Sequence, residues 1–585
     1  MITLKEYYEK EIRYFIEESQ RFAIKHPDQA RKLNLTDVKE RDPYAERLIQ
    51  AFSFLTGSIR QQIDDDFSTL ALDLLSVIWP HYLYPLPSSV IMCMEPVRGK
   101  IHSGKIIEKG KSIETDNIEI DNIDPESNVI RSRFTCCTDC LIRPFEIENA
   151  AFVSLRGGQS AIRLTLHFFE ELKWENMDLS PLQLYLHGDP GVASILYYIL
   201  LKDVREVVIR WNEDKTVVLP YDIIQPGGLS FDPDEALLPY PSHSFAGFNM
   251  LETYFYFSER YRFVTMDFFK AMSDVESGSQ CEIDLILSGM EHWRIELSST
   301  LFKLNCVPAI NLYPVDAKPI ELDSGKMSHR LVVNKTESLH CVPYHVQKVS
   351  GIRVKEGSHH YYQPFYSYRF KMNTKEPEYY YLKHAYNVED KPELYLSVIR
   401  PENAGTEVLS VELLCGNDPI LRKIKEKDIC KRSDLPDYVT PFNLSAPTIP
   451  SWPKLVGKEL WTLIHALGLN YTSIDTKDKI KGLLSLYNRS GSVANYRRID
   501  GIQSFKIDSK RTIYNGYPVN AILIDMSMAV DNFINKGDML MFSNILSKFF
   551  SMYIPINNIC ELNVTEYETN QEFMYQTETG EQAII

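Results

Sequence analysis

The sequence predicts a multidomain α+β protein with a helical N-terminal region, β-rich middle subdomains and an α+β C-terminal domain. Three observations carry that prediction. The 585 residues exceed what one hydrophobic core serves. Apolar residues recur at helical spacing up to about residue 87 and alternate with polar ones afterwards. Helical spacing returns after five prolines between Ser433 and Pro453, namely Pro436, Pro441, Pro447, Pro450 and Pro453. The expected divisions are a helical region 1–87, β-rich domains 88–275 and 276–432, a Pro-rich linker 433–453, an α+β domain 454–560 and an acidic tail 561–585.

Thr3 and Glu6 form a capping box, so a helix is expected over residues 3–25 with Tyr8, Ile12, Phe15 and Phe22 on one face. Pro27 opens a short second piece through Leu33. Asp42 is a capping residue and Pro43 suits the first helical position, so another helix starts there. Leu48, Phe52, Leu55, Ile59 and Ile63 then make one apolar stripe. A second pattern, with Leu70, Leu74, Val77 and Ile78, starts at Ser68 and stops before Pro80, so two helices are expected to turn back on each other across Asp64, Asp65 and Asp66. Burying five side chains of this size contributes roughly 8 to 15 kcal/mol before chain entropy is subtracted. The stripe therefore needs a partner.

Beyond Pro87, Ile162, Leu164, Leu166 and Phe168 alternate with polar residues, as do Leu182, Leu184 and Leu186. A helix near Pro190 to Leu201 precedes a strand at Val207, Ile209 and Trp211. Further strands are expected at Cys281 to Leu287 and at Leu409 to Cys415, the latter closed by Gly416-Asn417-Asp418-Pro419. In the C-terminal region Leu460, Trp461, Ile464 and Leu467 mark a helix, Val519, Ala521 and Leu523 a strand, and Phe542, Ile545, Leu546, Phe549, Phe550 and Tyr553 a last helix. No Lys or Arg follows Lys548, whereas six glutamates follow from Glu561 to Glu581, so the tail is expected to be solvated and partly disordered.

Composition excludes several classes. With 63 basic against 79 acidic side chains the net charge is −16, which opposes binding to a phosphate backbone, so no nucleic-acid partner is expected. The first residues carry no basic stretch followed by an apolar one, and no apolar run approaches the roughly 20 residues of a membrane helix. A cytoplasmic protein with reduced cysteines and no membrane insertion is the expectation. The 34 tyrosines favour surfaces packed at one end and polar at the other.

Four groups invite a chemical reading. Cys136-Cys137-Thr138-Asp139-Cys140 contains a C-x-x-C, but no second pair stands at zinc-site distance. His359-His360 lies among tyrosines, yet adjacent residues in a strand face opposite ways and share a metal poorly. Asp64-Asp65-Asp66 lacks the spaced ligands of a calcium loop. Glu282 and Asp284 share a strand face, which is the bare minimum for a glycosidase pair. No catalytic residue, cofactor or metal is expected. The alternative is a cytoplasmic carbohydrate-active or metal-dependent enzyme using the aromatic β region.

Several segments together resemble one family. They are Asp42-Pro43 with Glu46-Arg47-Leu48, Phe52-Ser53-Phe54-Leu55, Asp64-Asp65-Asp66-Phe67, Trp79-Pro80-His81-Tyr82-Leu83 and Pro85-Leu86-Pro87. Ser132-Arg133-Phe134-Thr135-Cys136, Phe245-Ala246-Gly247-Phe248, Cys306-Val307-Pro308, Asp500-Gly501-Ile502 and Phe549-Phe550 continue the pattern to the C-terminal region, with few matching residues from Val315 to Ala404. This order and spacing resembles TssF, the VasA/ImpG-type baseplate subunit of type VI secretion systems. The resemblance implies a phage-tail wedge-like, non-enzymatic scaffold at the cytoplasmic face of the inner membrane. It further implies two copies assembled with one TssG, contacts to TssK and TssE, wedges ringing the VgrG spike, and priming of tube and sheath beneath a membrane complex. On that reading the candidate partner-binding residues are Leu48, Phe52, Leu55, Ile59, Ile63, Trp461, Phe549 and Phe550.

Overall fold

The computed structural model describes residues 4–27, 43–78, 80–116, 118–119, 129–155, 158–172, 178–211, 215–229, 235–240, 246–272, 278–289, 295–322, 326–333, 341–353, 357, 359–365, 378–386, 392–400, 406–417, 420–453, 460–461, 464, 476–514, 516–556, 558–575 and 578–580. The expected piece from Pro27 to Leu33 and most of the expected helix from Leu460 to Leu467 lie outside them. The chain divides into two compact units, one holding residues 1–83 with 454–468, the other 84–453 with 469–585.

The first unit is built on two helices, α1 (Leu4–Lys25) and α2 (Pro43–Ile78). The expected turn at Asp64 to Asp66 does not occur: α2 runs through it as one helix of 36 residues. Neither glycine nor proline stands between Ser58 and Ile78. Three aspartates cost a helix only a few tenths of a kcal/mol each relative to good formers, which is less than breaking the ladder. The helix ends at Ile78, and Pro80 opens a single 3-10 turn, Pro80–Leu83.

The second unit is organised by mainly antiparallel sheets, several of whose strands come from distant parts of the chain. A six-stranded sheet runs Ile429–Arg432, Ser112–Thr115, Arg133–Cys136, Cys306–Ile310, Ser89–Pro96 and Val439–Asn443. Its strand Ser89–Pro96 is covered on both sides, with Val90, Met92 and Met94 in one core cluster and Ile91 and Cys93 in another. The proline-rich stretch is therefore not a linker throughout. Val439–Asn443 is an edge strand, where Pro441 is tolerated because an edge leaves one row of donors unpaired.

A five-stranded sheet runs Lys215–Pro220, Val204–Trp211, Gly278–Leu287, Ser160–Leu172 and Phe145–Ser154. The boundary expected at 275/276 falls inside this sheet, because Gly278–Leu287 pairs with strands on both sides. An eight-stranded sheet gathers strands between Tyr313 and Asn417 around Val346, Leu396, Leu409 and Leu413.

The C-terminal sheet begins with the hairpin Ile502–Tyr514 and Tyr517–Met528, beside which Asn558–Glu566 runs parallel. A parallel neighbour needs a crossover, and the helix Lys536–Tyr553 supplies it. Asn535 caps that helix, its side chain accepting from Gly537 N at 2.9 Å and Asp538 N at 3.1 Å. Gly537 is required, since a Cβ there would lie 1.7 Å from the carbonyl oxygen of Ser194. The start of the expected acidic tail is thus a packed strand. Leu562 and Val564 alternate with polar residues and are buried, and Glu566 is buried against Lys536 at 3.0 Å. A count of charges missed that alternation.

Candidate partner interface

In its first half helix α2 is amphipathic in an unusual sense, because the small residues Ser53 and Gly57 face the protein while a row of large apolar ones does not; further on, Ala71 and Leu75 are buried. Ser53 is fully buried, its hydroxyl donating to Ile49 O at 2.7 Å. One turn on, a Cβ on Gly57 would lie 3.1 Å from the backbone nitrogen of Tyr8, so glycine lets α1 cross at close range. Arg60 then pairs with Glu11, which is only 3% exposed. The other side of α2 carries Leu48, Phe52, Leu55, Ile59 and Ile63 at 61, 54, 57, 57 and 46% exposure, continued by Leu70 at 55%. An apolar stripe over more than six turns of helix exceeds the scattered exposed residues normal on a soluble surface.

The other three candidates differ. Trp461 is half-buried. Phe549 and Phe550 are not surface residues. Phe549 is fully buried with its ring 6.1 Å from Phe248 and 5.5 Å from Tyr553, and Phe550 stacks on Phe505 at 5.9 Å. The crossover helix that carries them is buried on nearly every side, so its apolar residues are core.

The chemical candidates resolve into structural roles. The Asp284 carboxylate, fully buried, accepts from Arg163 Nε at 2.7 Å and Nη2 at 2.9 Å and also from Arg210. Glu282 Oε2 lies 3.4 Å from Arg163 and 3.3 Å from Arg210. The Asp284 hydrogen bond raises the Arg163 pKa above its ordinary value. Both carboxylates are engaged by arginines from the two flanking strands.

His360 and His359 do point apart. His360 Nε2 lies 2.8 Å from Glu378 Oε2 and 2.6 Å from Glu407 Oε1, while Arg353 pairs with Glu378. The Tyr362 hydroxyl donates to the Glu407 carboxylate at 3.0 Å. With Arg353 and Arg400 already opposing the two carboxylates, a metal cation would add to positive charge. Tyr362, Tyr379 and Tyr380 are buried, whereas Tyr361 and Phe365 of the same group are exposed. Of the C-x-x-C, Cys137 follows the strand Arg133–Cys136 and Cys140 opens the strand Cys140–Ile142, and burial pushes the Cys136 and Cys137 thiols up to about 12. Among the described residues no group of three or more His, Cys, Asp or Glu side chains is arranged to hold a metal ion. No helix among them is long and apolar enough to cross a membrane.

The family model described as "Type VI secretion system, TssF" matches residues 1–582. The chain belongs to the TssF family. This TssF-family chain is 26% identical over 628 aligned positions to the type VI secretion system component TssF1 of Pseudomonas aeruginosa PAO1, covering 99% of this chain and 98% of that one. Its fold matches a chain of the TssK-TssF-TssG baseplate subcomplex seen by cryo-electron microscopy, with a TM-score of 0.76 at 21% identity over 92% of this chain and 99% of the other. It also matches a chain of the baseplate complex of the type VI secretion system, with a TM-score of 0.65 at 21% identity over the full length of both. These TssF-like structures share its mixed, multidomain α+β architecture. The stripe on α2 was legible from spacing alone. The small-residue face of Ser53 and Gly57 was missed, although the spacing of two small residues by one helical turn was there to be seen.

Proposed function

We propose that this chain is a structural subunit of a type VI secretion baseplate, without catalytic activity, that assembles with TssG and TssK. The observation that carries this reading is the exposed stripe Leu48, Phe52, Leu55, Ile59, Ile63 and Leu70 on a helix already packed through its opposite side. That stripe suits helices of TssG and of a second copy of this chain, joined in a mixed bundle. Two copies per TssG form one wedge in this reading. TssK meets it on the membrane side, TssE toward the sheath, and wedges surround the VgrG spike at the cytoplasmic face of the inner membrane, where tube and sheath polymerisation begins. The engagement of Glu282 and Asp284 by paired arginines counts against the alternative of an enzyme using them.

The test is co-expression of the tagged chain with TssG, followed by mass measurement of the purified complex by light scattering. A complex holding two copies of this chain per TssG is expected. A soluble monomer that ignores TssG overturns the proposal.

A further inference from the structure

The strands Ser89–Pro96 and Cys306–Ile310 run antiparallel with Cys93 directly opposite Cys306. Met94 N donates to Asn305 O at 2.9 Å, the flanking bond that marks Cys93 and Cys306 as a non-hydrogen-bonded pair. In such a pair the Cα atoms stand about 4.5 Å apart and the side chains approach most closely, which lies within the Cα range of disulfides. The two side chains also point to one place. Cys93 Sγ lies 3.6 Å and Cys306 Sγ 3.3 Å from the same carbonyl oxygen, that of Leu304. The two thiols thus share one acceptor. Each residue is 6% exposed, in a cluster with Ile91, Ile310 and Leu312. Cys93 and Cys306 are both outside any disulfide in this structure.

We propose that Cys93 and Cys306 are a latent disulfide, a modification site at which hydrogen peroxide joins the two strands. One sulfur attacks a peroxide oxygen, the O–O bond breaks, and a sulfenic acid forms while the departing hydroxide takes the thiol proton and leaves as water. The second sulfur then displaces the sulfenic oxygen, the S–S bond forms, and that oxygen leaves as a second water with the remaining protons. Two electrons pass from two thiols to one peroxide.

Enclosure selects the oxidant. A molecule the size of peroxide reaches a site from which glutathione disulfide is excluded. Burial holds the Cys306 thiol protonated well above the ordinary range, so the reaction is slow near neutrality and faster at higher pH. Cys140 is the third sulfur of this neighbourhood, carried by the strand Cys140–Ile142, and is the competitor for pairing. Cys430, only partly buried, reports whether oxidant was present in effective amount.

The experiment treats the reduced full-length chain with hydrogen peroxide at pH 7 and pH 9, blocks remaining thiols with maleimide, and maps digested peptides without reduction. The expected result is one peptide pair joining Cys93 to Cys306, lighter by two hydrogens than its parts, more abundant at pH 9 and released by dithiothreitol. Cys306→Ser and Cys93→Ala each abolish it, and the wild-type map decides alone if a variant fails to fold. A crosslink from either residue to Cys140, sulfinic acid at either residue, or recovery of both as maleimide adducts when Cys430 is oxidised each overturns the proposal. Equal crosslinking by glutathione disulfide overturns the argument from enclosure.

Discussion

Glutamate at Phe52 and Ile59 together should abolish assembly with TssG while leaving the isolated chain folded. The two side chains are 54 and 57% exposed, so about half of their burial remains to be gained on assembly. Full burial of a side chain of this size contributes about 1.5 to 3 kcal/mol, so the two together stand to contribute about 1.5 to 3 kcal/mol more. A carboxylate forced into the same apolar contact costs further, by at least ~1 to 3 kcal/mol per group even when partly compensated. A combined loss of about 4 kcal/mol weakens binding roughly a thousandfold. In the free chain the change should be nearly neutral, because exposed positions move stability by less than about 0.5 kcal/mol and glutamate is a good helix former. The assay is titration of the variant against TssG, with circular dichroism of the chain alone and Val218→Glu as a control on an exposed apolar strand residue elsewhere. Undiminished affinity for TssG in the folded double variant would refute the docking role of the stripe.

Three further outcomes follow from the geometry. Burial lowers both His345 and His384 to about 4, from a reference of 6.5. The unfolded chain therefore takes up these protons first, so stability is full above pH 6.5 and falls between pH 6.5 and 4, by at most ~1.4 kcal/mol per pH unit per ring; urea midpoints at pH 7 and 5.5 read this directly. Glu252 and Arg489 pair while only 2 and 4% exposed, so Glu252→Ala strands a buried guanidinium and should cost about 3 to 5 kcal/mol in chemical denaturation. Gly57→Ala gains about 1 kcal/mol of helix propensity but crowds a Cβ to 3.1 Å from Tyr8 N, and Gly57→Leu adds overpacking of about 1 to 3 kcal/mol, so faster amide exchange in α1 is expected of the leucine variant.

What could be read from the sequence was what local spacing encodes. The 3.6-residue period of Leu48, Phe52, Leu55, Ile59 and Ile63 survives whatever the helix packs against, and the period of two in Ile162 to Phe168 and Leu182 to Leu186 marks real strands, Ser160–Leu172 and Leu182–Leu186. What could not be read was where each face points. Phe549 and Phe550 share the helical spacing of the α2 residues, yet a helix enclosed on all sides makes core of them. Sheet partnership was equally hidden. Nothing local in Val439–Asn443 tells that its neighbour is Ser89–Pro96, and the prolines around it read as loop because their cost vanishes at an edge. The turn at Asp64 to Asp66 failed for the converse reason, since local preference for a break was outweighed by an unbroken ladder of backbone hydrogen bonds.

The two units also differ in what their folding requires, and this bears on the stripe. The six-stranded sheet places Ser89–Pro96 between Cys306–Ile310 and Val439–Asn443, so its pairings close very long loops and await strands far along the chain. The first unit also takes in residues 454–468, but the packing of α1 on α2 itself involves only residues up to Ile78, and its contacts at Gly57 with Tyr8 and at Arg60 with Glu11 are comparatively local. A helix pair that forms early therefore displays its apolar side while the sheets are still incomplete. Such a face associates with any apolar surface within reach. The same residues that strengthen assembly when a helical partner is present promote aggregation when it is absent, so glutamates at Phe52 and Ile59 act with opposite sign on the complex and on the solubility of the lone chain. That opposition is the signature of an interface. A stripe that merely packed within the chain would lower both.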